Sequence, residues 1–279
     1  MSSQSEPVTE ALLRGWSLPG PGDSKKSRGD VVVVGGSRSS PGAVLLAGEA
    51  ALRVGAGRVA LVVPRSIDAQ VGIALPEAGI LALPDEADAP LDGDLGERIR
   101  TADAVLVGPG FSDADETRAT LEAVAAAGPR LLVLDAFALG VLPDIDRGSL
   151  PADVILNPNK DEARILLGRE LVDEVADVRD IAREFEAVVN CYGVVAAPRG
   201  AVWQLQEGDG GLGTSGSGDV LAGAIAGFAA RGVEPAEAAV WGSWTHARAG
   251  ARLSERIGVG FLARDLAREL TPAVHTVTQ

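Results

Sequence analysis

The sequence alternates short, continuous apolar runs with longer segments in which apolar and polar residues are mixed. Runs rich in Val, Ile and Leu, without an apolar–polar alternation, are typical of strands buried on both faces. Strands are predicted at 31–34, 58–63, 80–83, 104–107, 131–134 and 154–156. Helices are predicted at 42–54, 114–127, 160–168 and 175–187. This order predicts an α/β fold with three layers, α/β/α, in which helices cover both faces of a central, mostly parallel sheet.

The rest of the chain departs from this alternation. Two short apolar strands within 188–206 flank Pro198-Arg199-Gly200, which predicts a hairpin at the sheet edge. Three further helices are predicted at 219–231, 235–254 and 261–270. Residues 1–29 are rich in Ser, Gly and Pro and are expected to form a flexible arm. A single domain is therefore predicted over 30–272, followed by a tail over 273–279.

Composition narrows the function classes. A net charge of −14 argues against nucleic acid as a partner, because few cations are available to neutralise a phosphate backbone. One cysteine excludes an intrachain disulfide, and two histidines with that cysteine cannot build a typical zinc site. We find neither a signal-peptide pattern nor an apolar run of membrane-spanning length, so a cytoplasmic protein without membrane contact is expected.

Polar and glycine-rich turns follow several of the predicted strands. They are Gly35-Gly36-Ser37, Gly108-Pro109-Gly110, Asp135 and Asn157-Pro158-Asn159. The carboxyl ends of parallel strands share one edge of a sheet, and ligands of such folds bind beyond that edge. Each turn alone could be an ordinary tight turn. Together they predict one crevice.

The segment Gly213 to Asp219 carries the strongest chemical signal. Its glycines let backbone N–H groups approach a ligand, and the apolar helix that follows places its positive end there. Asp219 could be an ordinary helix cap, but a carboxylate beside bound phosphate also suits a base. No Gly-x-x-x-x-Gly-Lys-Ser/Thr string is present, so this loop is not a P-loop.

Taken in order, these motifs resemble the ribokinase-like superfamily and, more closely, the NAD(P)H-hydrate dehydratases. The resemblance covers about 29–271. It rests on Val34-Gly35-Gly36-Ser37 with Pro41-Gly42-Ala43, Gly55-Ala56-Gly57, Val107-Gly108-Pro109-Gly110, Asp135-Ala136 with Ala138-Leu139, and Gly216-Ser217-Gly218-Asp219-Val220-Leu221-Ala222-Gly223. Phe137 stands where the family has a smaller residue.

The resemblance implies a ribokinase-like fold, a hydrated NADH or NADPH substrate, ADP or ATP as phosphoryl donor, and Mg²⁺. Asp219 would be the base that activates the ring hydroxyl, and phosphate would then be eliminated. The backbone of Gly216, Ser217 and Gly218 would hold the transferring phosphoryl group. The resemblance places the substrate at Ala43, Gly110, Asn159 and Asp219. It places the nucleotide at Asn190, Cys191, Gly193 and Gly218.

Two segments depart from the family pattern. The family's Pro-His-Pro-Gly-Glu string reads Pro158-Asn159-Lys160-Asp161-Glu162 here, so Asn159 replaces a substrate-contacting histidine. The Asn159…Glu162 pair resembles sugar and vitamin kinases, in which the glutamate helps to place Mg²⁺, but a helix cap explains it equally well. The second segment is Val189-Asn190-Cys191-Tyr192-Gly193, which lacks the family's Lys-Gly.

These departures leave three interpretations open: an active dehydratase, an ATP-dependent kinase of a small alcohol, and a nucleotide-binding paralogue without turnover. A nucleophilic Cys191 is disfavoured because no motif links it to a histidine, and His246 is expected to be structural. The resemblance also implies a homo-oligomer, a tetramer in relatives, and a separate epimerase acting upstream.

Overall fold

A single ten-stranded sheet organises the computed structural model, which describes residues 5–20, 22–206 and 210–279. The strands are β1 Glu6–Val8, β2 Asp30–Val34, β3 Arg58–Val63, β4 Gly79–Ala82, β5 Ala104–Val107, β6 Leu131–Leu134, β7 Asp153–Leu156, β8 Val188–Cys191, β9 Val194–Ala196 and β10 Val202–Leu205. Their order across the sheet is β1-β10-β9-β8-β7-β6-β5-β2-β3-β4. Only the pairs β8–β9 and β9–β10 are antiparallel among the described strands, so the predicted mostly parallel sheet is confirmed.

Helices cover both faces of this sheet. They are α1 Glu10–Trp16, α2 Gly42–Arg53, α3 Asp68–Ala74, α4 Gly93–Thr101, α5 Ala114–Ala126, α6 Phe137–Val141, α7 Lys160–Leu167, α8 Glu174–Glu184, α9 Ser217–Ala230, α10 Pro235–Ile257 and α11 Ala263–Thr278. Two apolar cores result, and β2 contributes to both: Val31 and Val33 join one, whereas Val32 and Val34 join the other. The residues of β2 are therefore apolar on both faces because each face packs into one of the two cores. The three-layer prediction is confirmed.

The chain before β2 differs from the expected flexible arm. β1 pairs in parallel with β10 and extends the sheet by one strand, and Leu13 of α1 is fully buried. Trp16 packs edge-on against Trp203 with ring centroids 5.9 Å apart. Burial of a few apolar side chains therefore orders a segment whose overall composition is polar. Because β1 pairs outside it, the predicted hairpin at 188–206 does not form the sheet edge.

That hairpin region contains three strands where two were expected. A turn around Gly200, whose φ is +96°, joins β9 to β10 as predicted. A second, two-residue turn joins β8 to β9 at Tyr192 and Gly193, with φ of +47° and +83°. Positive φ at both central residues is what a type I′ turn requires.

The end of the chain also differs from the expectation. Residues 273–279 were expected to be a tail, but α11 runs through Pro272 to Thr278. Ala273 and Val277 are buried in the core, so packing outweighs the hydrogen bond that the proline removes. Among the described residues, no helix is both long enough and apolar enough for a membrane crossing.

Candidate active site

A cleft of about 780 Å³ opens at the carboxyl ends of the central strands. Such an edge is where ligands of open parallel sheets bind. Its walls are the turns after β6, β7 and β8, the loop before α9 and the inner face of α10. The predicted site residues that line it are Asn159, Glu162, Asn190, Gly193, Gly216, Ser217, Gly218 and Asp219. Of the turns predicted to form one crevice, Asp135 and Asn157-Pro158-Asn159 line this cleft, whereas Gly35-Gly36-Ser37 and Gly108-Pro109-Gly110 do not.

The loop before α9 ends in a glycine-capped helix start. Gly216 is the N-cap in the left-handed region, with φ +85°, and no side chain caps the helix. The positive φ favours glycine, and a Cβ there would lie 2.5 Å from the terminal Cδ1 of Leu46, whose side chain would have to move aside. The N–H of Ser217 donates to Thr214 O at 3.1 Å. Within the described part of the chain, those of Gly216 and Gly218 meet no acceptor, so they can donate to an anion.

Asp219 stands in the first turn of this helix and faces the cleft. Partial burial, with a smaller contribution from the nearby Glu162 carboxylate, raises the pKa of Asp219 to about 6. A general base works best when its pKa lies near the working pH. Asp219 is therefore ionised above about pH 6 and basic enough to accept the proton of a hydroxyl.

A second helix start, that of α7, borders the same cleft. Asn159 Oδ1 accepts from the N–H groups of Asp161 and Glu162 at 2.8 and 2.9 Å, and Glu162 Oε2 accepts from Asn159 N–H at 2.9 Å. This is a complete capping box. The box explains the Asn159…Glu162 spacing without a ligand, so the pair no longer favours a kinase. Glu162 keeps one carboxylate oxygen, Oε1, outside the box.

The donor set of the cleft suits magnesium in a limited way. Asp135, Glu162 and Asp219 supply carboxylate oxygens, which Mg²⁺ prefers. No group of three metal-ligating side chains is assembled for a metal within the described residues. Mg²⁺ in nucleotide sites commonly takes one or two carboxylates together with waters and phosphates. The cleft therefore fits a nucleotide-borne Mg²⁺ rather than a resident metal.

A chain of buried polar side chains forms the floor of the cleft. Ser243 Oγ donates to Asn190 Oδ1 at 2.6 Å, Asn190 Nδ2 to Asn157 Oδ1 at 2.7 Å, and Asn157 Nδ2 to Asp135 Oδ1 at 2.9 Å. Burial raises the pKa of Asp135 well above its ordinary value, and the Asp219 carboxylate adds to this. Every donor points towards Asp135, so the chain fixes the ends of β6, β7 and β8 against α10.

His246 supports the glycine-capped helix. Its Nε2 lies 3.0 Å from Ser217 O and 3.1 Å from Ser217 Oγ. A carbonyl can only accept, so Nε2 carries a proton and donates. Burial lowers the pKa of His246 to about 4, and the ring is neutral. The histidine expected to be structural holds the first residue of α9 in place.

Cys191 does not contribute its side chain to the cleft. Strand alternation places Asn190 on the cleft side and Cys191 in the apolar core, where it is 1% exposed. Burial raises the pKa of its thiol to about 12. The structure thus offers no reactive thiolate there, and Tyr192 takes the corresponding place in the cleft wall.

Ala43 and Gly110 come together but do not line this cleft. A Cβ on Gly110 would lie 3.0 Å from Ala43 Cβ and 2.5 Å from Ser40 O, so the two segments touch closely. Leu46, one helical turn after Ala43, packs against the Gly216 loop. The pair therefore lies near the Gly216 loop.

Several residues that line the cleft carry no sequence signal of a functional site. Tyr192 and Ser243 carry no motif signal, because a tyrosine in a short turn and a serine in an apolar helix are common. Asn157 was noted only as part of a turn. Its alignment with Asn190 depends on the parallel pairing of β7 and β8, which no local pattern reveals.

Comparison with known proteins agrees with this geometry. A family model described as NAD(P)H-hydrate dehydratase matches residues 31–272. The ADP-dependent (S)-NAD(P)H-hydrate dehydratase of Xanthomonas campestris is 42% identical over 274 residues, covering 94% of each chain. A bifunctional NAD(P)H-hydrate repair enzyme of Moorella thermoacetica is 36% identical over 82% of this chain, which spans 46% of that relative.

Solved structures give the same family. The Bacillus subtilis ADP/ATP-dependent NAD(P)H-hydrate dehydratase, co-crystallised with ATP/Mg²⁺, has a TM-score of 0.86 at 25% identity and covers 99% of this chain and 100% of its own. A ribokinase of Arabidopsis thaliana covers 90% and 99% with a TM-score of 0.61 at 13% identity, a likeness of fold alone. By these matches and the confirmed ribokinase-like fold, the chain belongs to the NAD(P)H-hydrate dehydratase family.

Proposed function

We propose that this chain returns hydrated NADH or NADPH to NADH or NADPH, with ADP or ATP as phosphoryl donor and Asp219 as the general base. The observation that carries the proposal is the helix start at Gly216: its open N–H groups lie beside a carboxylate whose pKa is about 6. The 42% identical relative is named as ADP-dependent, which makes ADP the first donor to test.

The proposed reaction begins at the hydroxyl next to the ring nitrogen of the hydrated nicotinamide. Asp219 accepts the hydroxyl proton as the oxygen attacks the terminal phosphorus of the nucleotide. The bond from that phosphorus to the nucleotide breaks, leaving AMP when ADP is the donor. The backbone N–H groups of Gly216 and Gly218 hold the oxygens of the transferring group.

Elimination completes the reaction. The ring-nitrogen lone pair expels the phosphate as the carbon–oxygen bond breaks, and loss of the neighbouring ring proton restores the dihydronicotinamide. Mg²⁺, when bound, would neutralise phosphate charge, and Glu162 would hold one of its waters through Oε1. The hydrogen-bonded chain from Ser243 to Asp135 keeps the cleft floor fixed.

The test is recovery of dihydronicotinamide absorbance from hydrated NADH with Mg²⁺ and ADP or ATP. We expect nucleotide-dependent recovery that falls by ~10²–10⁴-fold in Asp219→Asn, with nucleotide binding retained. Asp161→Asn is the matched control, because Asp161 lies in the first turn of α7 and pairs with Arg164 outside the cleft. An undiminished rate in Asp219→Asn would remove Asp219 from the mechanism, and binding without any recovery would sink the dehydratase proposal.

Three further expectations accompany this proposal. A homotetramer, a cytoplasmic location and a separate epimerase upstream follow from the resemblance and the composition, and each stays a prediction. The chain spans about half of the bifunctional relative, so an epimerase activity is proposed to come from another protein or segment.

A further inference from the structure

The side chains of the cleft do not complement the negative charge of the proposed nucleotide. The acidic side chains that line it in the described part of the chain are Asp135, Glu162 and Asp219, and no lysine or arginine joins them. His246 is neutral. The proposed donor nucleotide is itself an anion. Backbone N–H groups would stabilise part of the nucleotide's negative charge, and a side-chain cation within reach of the cleft would stabilise more of it.

Lys160 stands at the rim of this cleft. It is the first residue of α7, directly after Asn159 of the cleft wall. Its Nζ lies 4.8 Å from the ring centroid of Tyr192, and the Tyr192 side chain lines the cleft. Lys160 and Tyr192 belong to the two segments that depart from the family pattern, and here those segments are in contact.

The chemistry of Lys160 suits a phosphate contact. Of the 25 lysines and arginines in the chain, only Lys25, Lys26 and Lys160 are lysines. Side-chain ammonium groups are therefore rare in this protein. An ammonium on a flexible stem is a common phosphate ligand. A cation at the first helical position is also disfavoured by the helix dipole. Its placement there therefore calls for a reason beyond helix formation.

One partner already holds the ammonium. Glu174 Oε1, at the start of α8, lies 2.9 Å from Lys160 Nζ, and both side chains are more than a third exposed. An exposed pair of this kind contributes little to stability, so its rearrangement costs little. Glu174 thus holds the Lys160 ammonium over the Tyr192 ring. From there the Lys160 side chain can turn towards a phosphate.

We infer that Lys160 is a binding residue for the phosphates of the donor nucleotide, approaching from the Tyr192–Gly193 turn opposite the Gly216 loop. The inference rests on the proposed function for its ligand, a nucleoside di- or triphosphate. The alternative is a surface ion pair with Glu174 that plays no part in binding.

The test is calorimetric binding of ADP, ATP and adenosine to the full chain without the hydrated substrate, so no turnover is needed. We expect Lys160→Met to raise the Kd for ADP and ATP by about tenfold, and to leave adenosine binding and Tm unchanged. Lys160→Arg should recover most of the loss. Glu174→Gln should tighten ADP binding, because it releases the ammonium. Lys26→Met is the matched control.

A second measurement needs no mutation. Bound ADP should protect Lys160 from an amine-reactive acetylating reagent, read by mass spectrometry, while Lys25 and Lys26 in the same sample report general accessibility. Unchanged ADP affinity in Lys160→Met, equal labelling with and without ADP, or wild-type protein that binds neither nucleotide overturns the inference. Lys160-dependent ADP binding without recovery of NADH would instead sink the proposed function and leave the inference standing.

Discussion

The two helix starts that line the cleft, those of α7 and α9, have the same residue spacing, but a side chain caps only that of α7. Glu162 of α7 and Asp219 of α9 both stand three residues after their N-caps. In α7 the Asn159 side chain satisfies two first-turn N–H groups, and Glu162 reaches back to the cap. In α9 the cap is Gly216, no side chain closes it, and Asp219 is left facing the cleft.

The difference lies in one residue type at the cap. An asparagine at the N-cap accepts hydrogen bonds from the first-turn N–H groups of its own helix and so makes that helix start a structural element. A glycine at the N-cap leaves the first-turn N–H groups and the nearby carboxylate available to a ligand. We propose that the closed start contributes stability and the open one contributes function. Three predictions probe this contrast.

The largest expected effect is that of Gly216→Ala. A Cβ would strain a residue at φ +85° and displace the end of the Leu46 side chain, so we expect the loop to shift and its N–H groups to move away from the proposed phosphoryl position. We expect a loss of about 10²-fold in the rate of NADH recovery and of ~1–2 kcal/mol in unfolding free energy.

Gly168→Ala is the matched control for that change. Gly168 ends α7 at φ +63°, and a Cβ there would meet nothing within 4 Å. Its stability loss should be similar, while its rate should match the wild type. If both variants lost activity equally, the open start at Gly216 would have no special role in catalysis.

The two helix starts also show which features can be predicted from the sequence and which cannot. The buried strands were predicted to within about one residue, because continuous apolar runs have few other uses. The Gly216–Asp219 loop was predicted because glycines before an apolar helix form a local pattern. By contrast, Asn-x-x-Glu is the same string for a cap and for a metal site, and only the hydrogen bonds of Asn159 show that the cap forms.

What the sequence missed depends on tertiary packing. β1 is three residues long and is ordered by pairing with a strand nearly two hundred residues away. α4 is nine residues long and buries only Ile99, so its sequence offers few apolar residues to mark it. The chain from Ser243 through Asn190 to Asp135 joins α10 to three strand ends, and nothing local connects those positions.

A smaller effect is expected on stability from Asp219→Asn. The folded pKa of Asp219 is about 6, whereas an unfolded aspartate ionises near 3.9. The folded state therefore resists ionisation, and this cost grows from about pH 4 and is complete above about pH 6. We expect Asp219→Asn to be more stable than the wild type at pH 8, by on the order of 1–3 kcal/mol.

Urea unfolding at pH 8 and pH 5 checks this prediction. The gain of Asp219→Asn should shrink at pH 5, where the wild-type carboxyl is largely protonated in the folded state. Asp161→Asn, at the start of α7, should show no such gain. A gain that did not change with pH would mean that ionisation of Asp219 is not what costs stability, and the open helix start would then carry no electrostatic penalty.

The smallest effect is expected at the closed start. Asn159→Ala removes the acceptor of two N–H groups and should lower the unfolding free energy by ~1 kcal/mol, whereas Asn159→Ser should retain most of it. Because the asparagine oxygen is spent on the cap, the KM for hydrated NADH should change little in either variant. Unfolding curves and KM measured on the same preparations separate the two roles. A variant of full stability with a raised KM would make Asn159 a substrate contact, and α7 would then be a second open helix start.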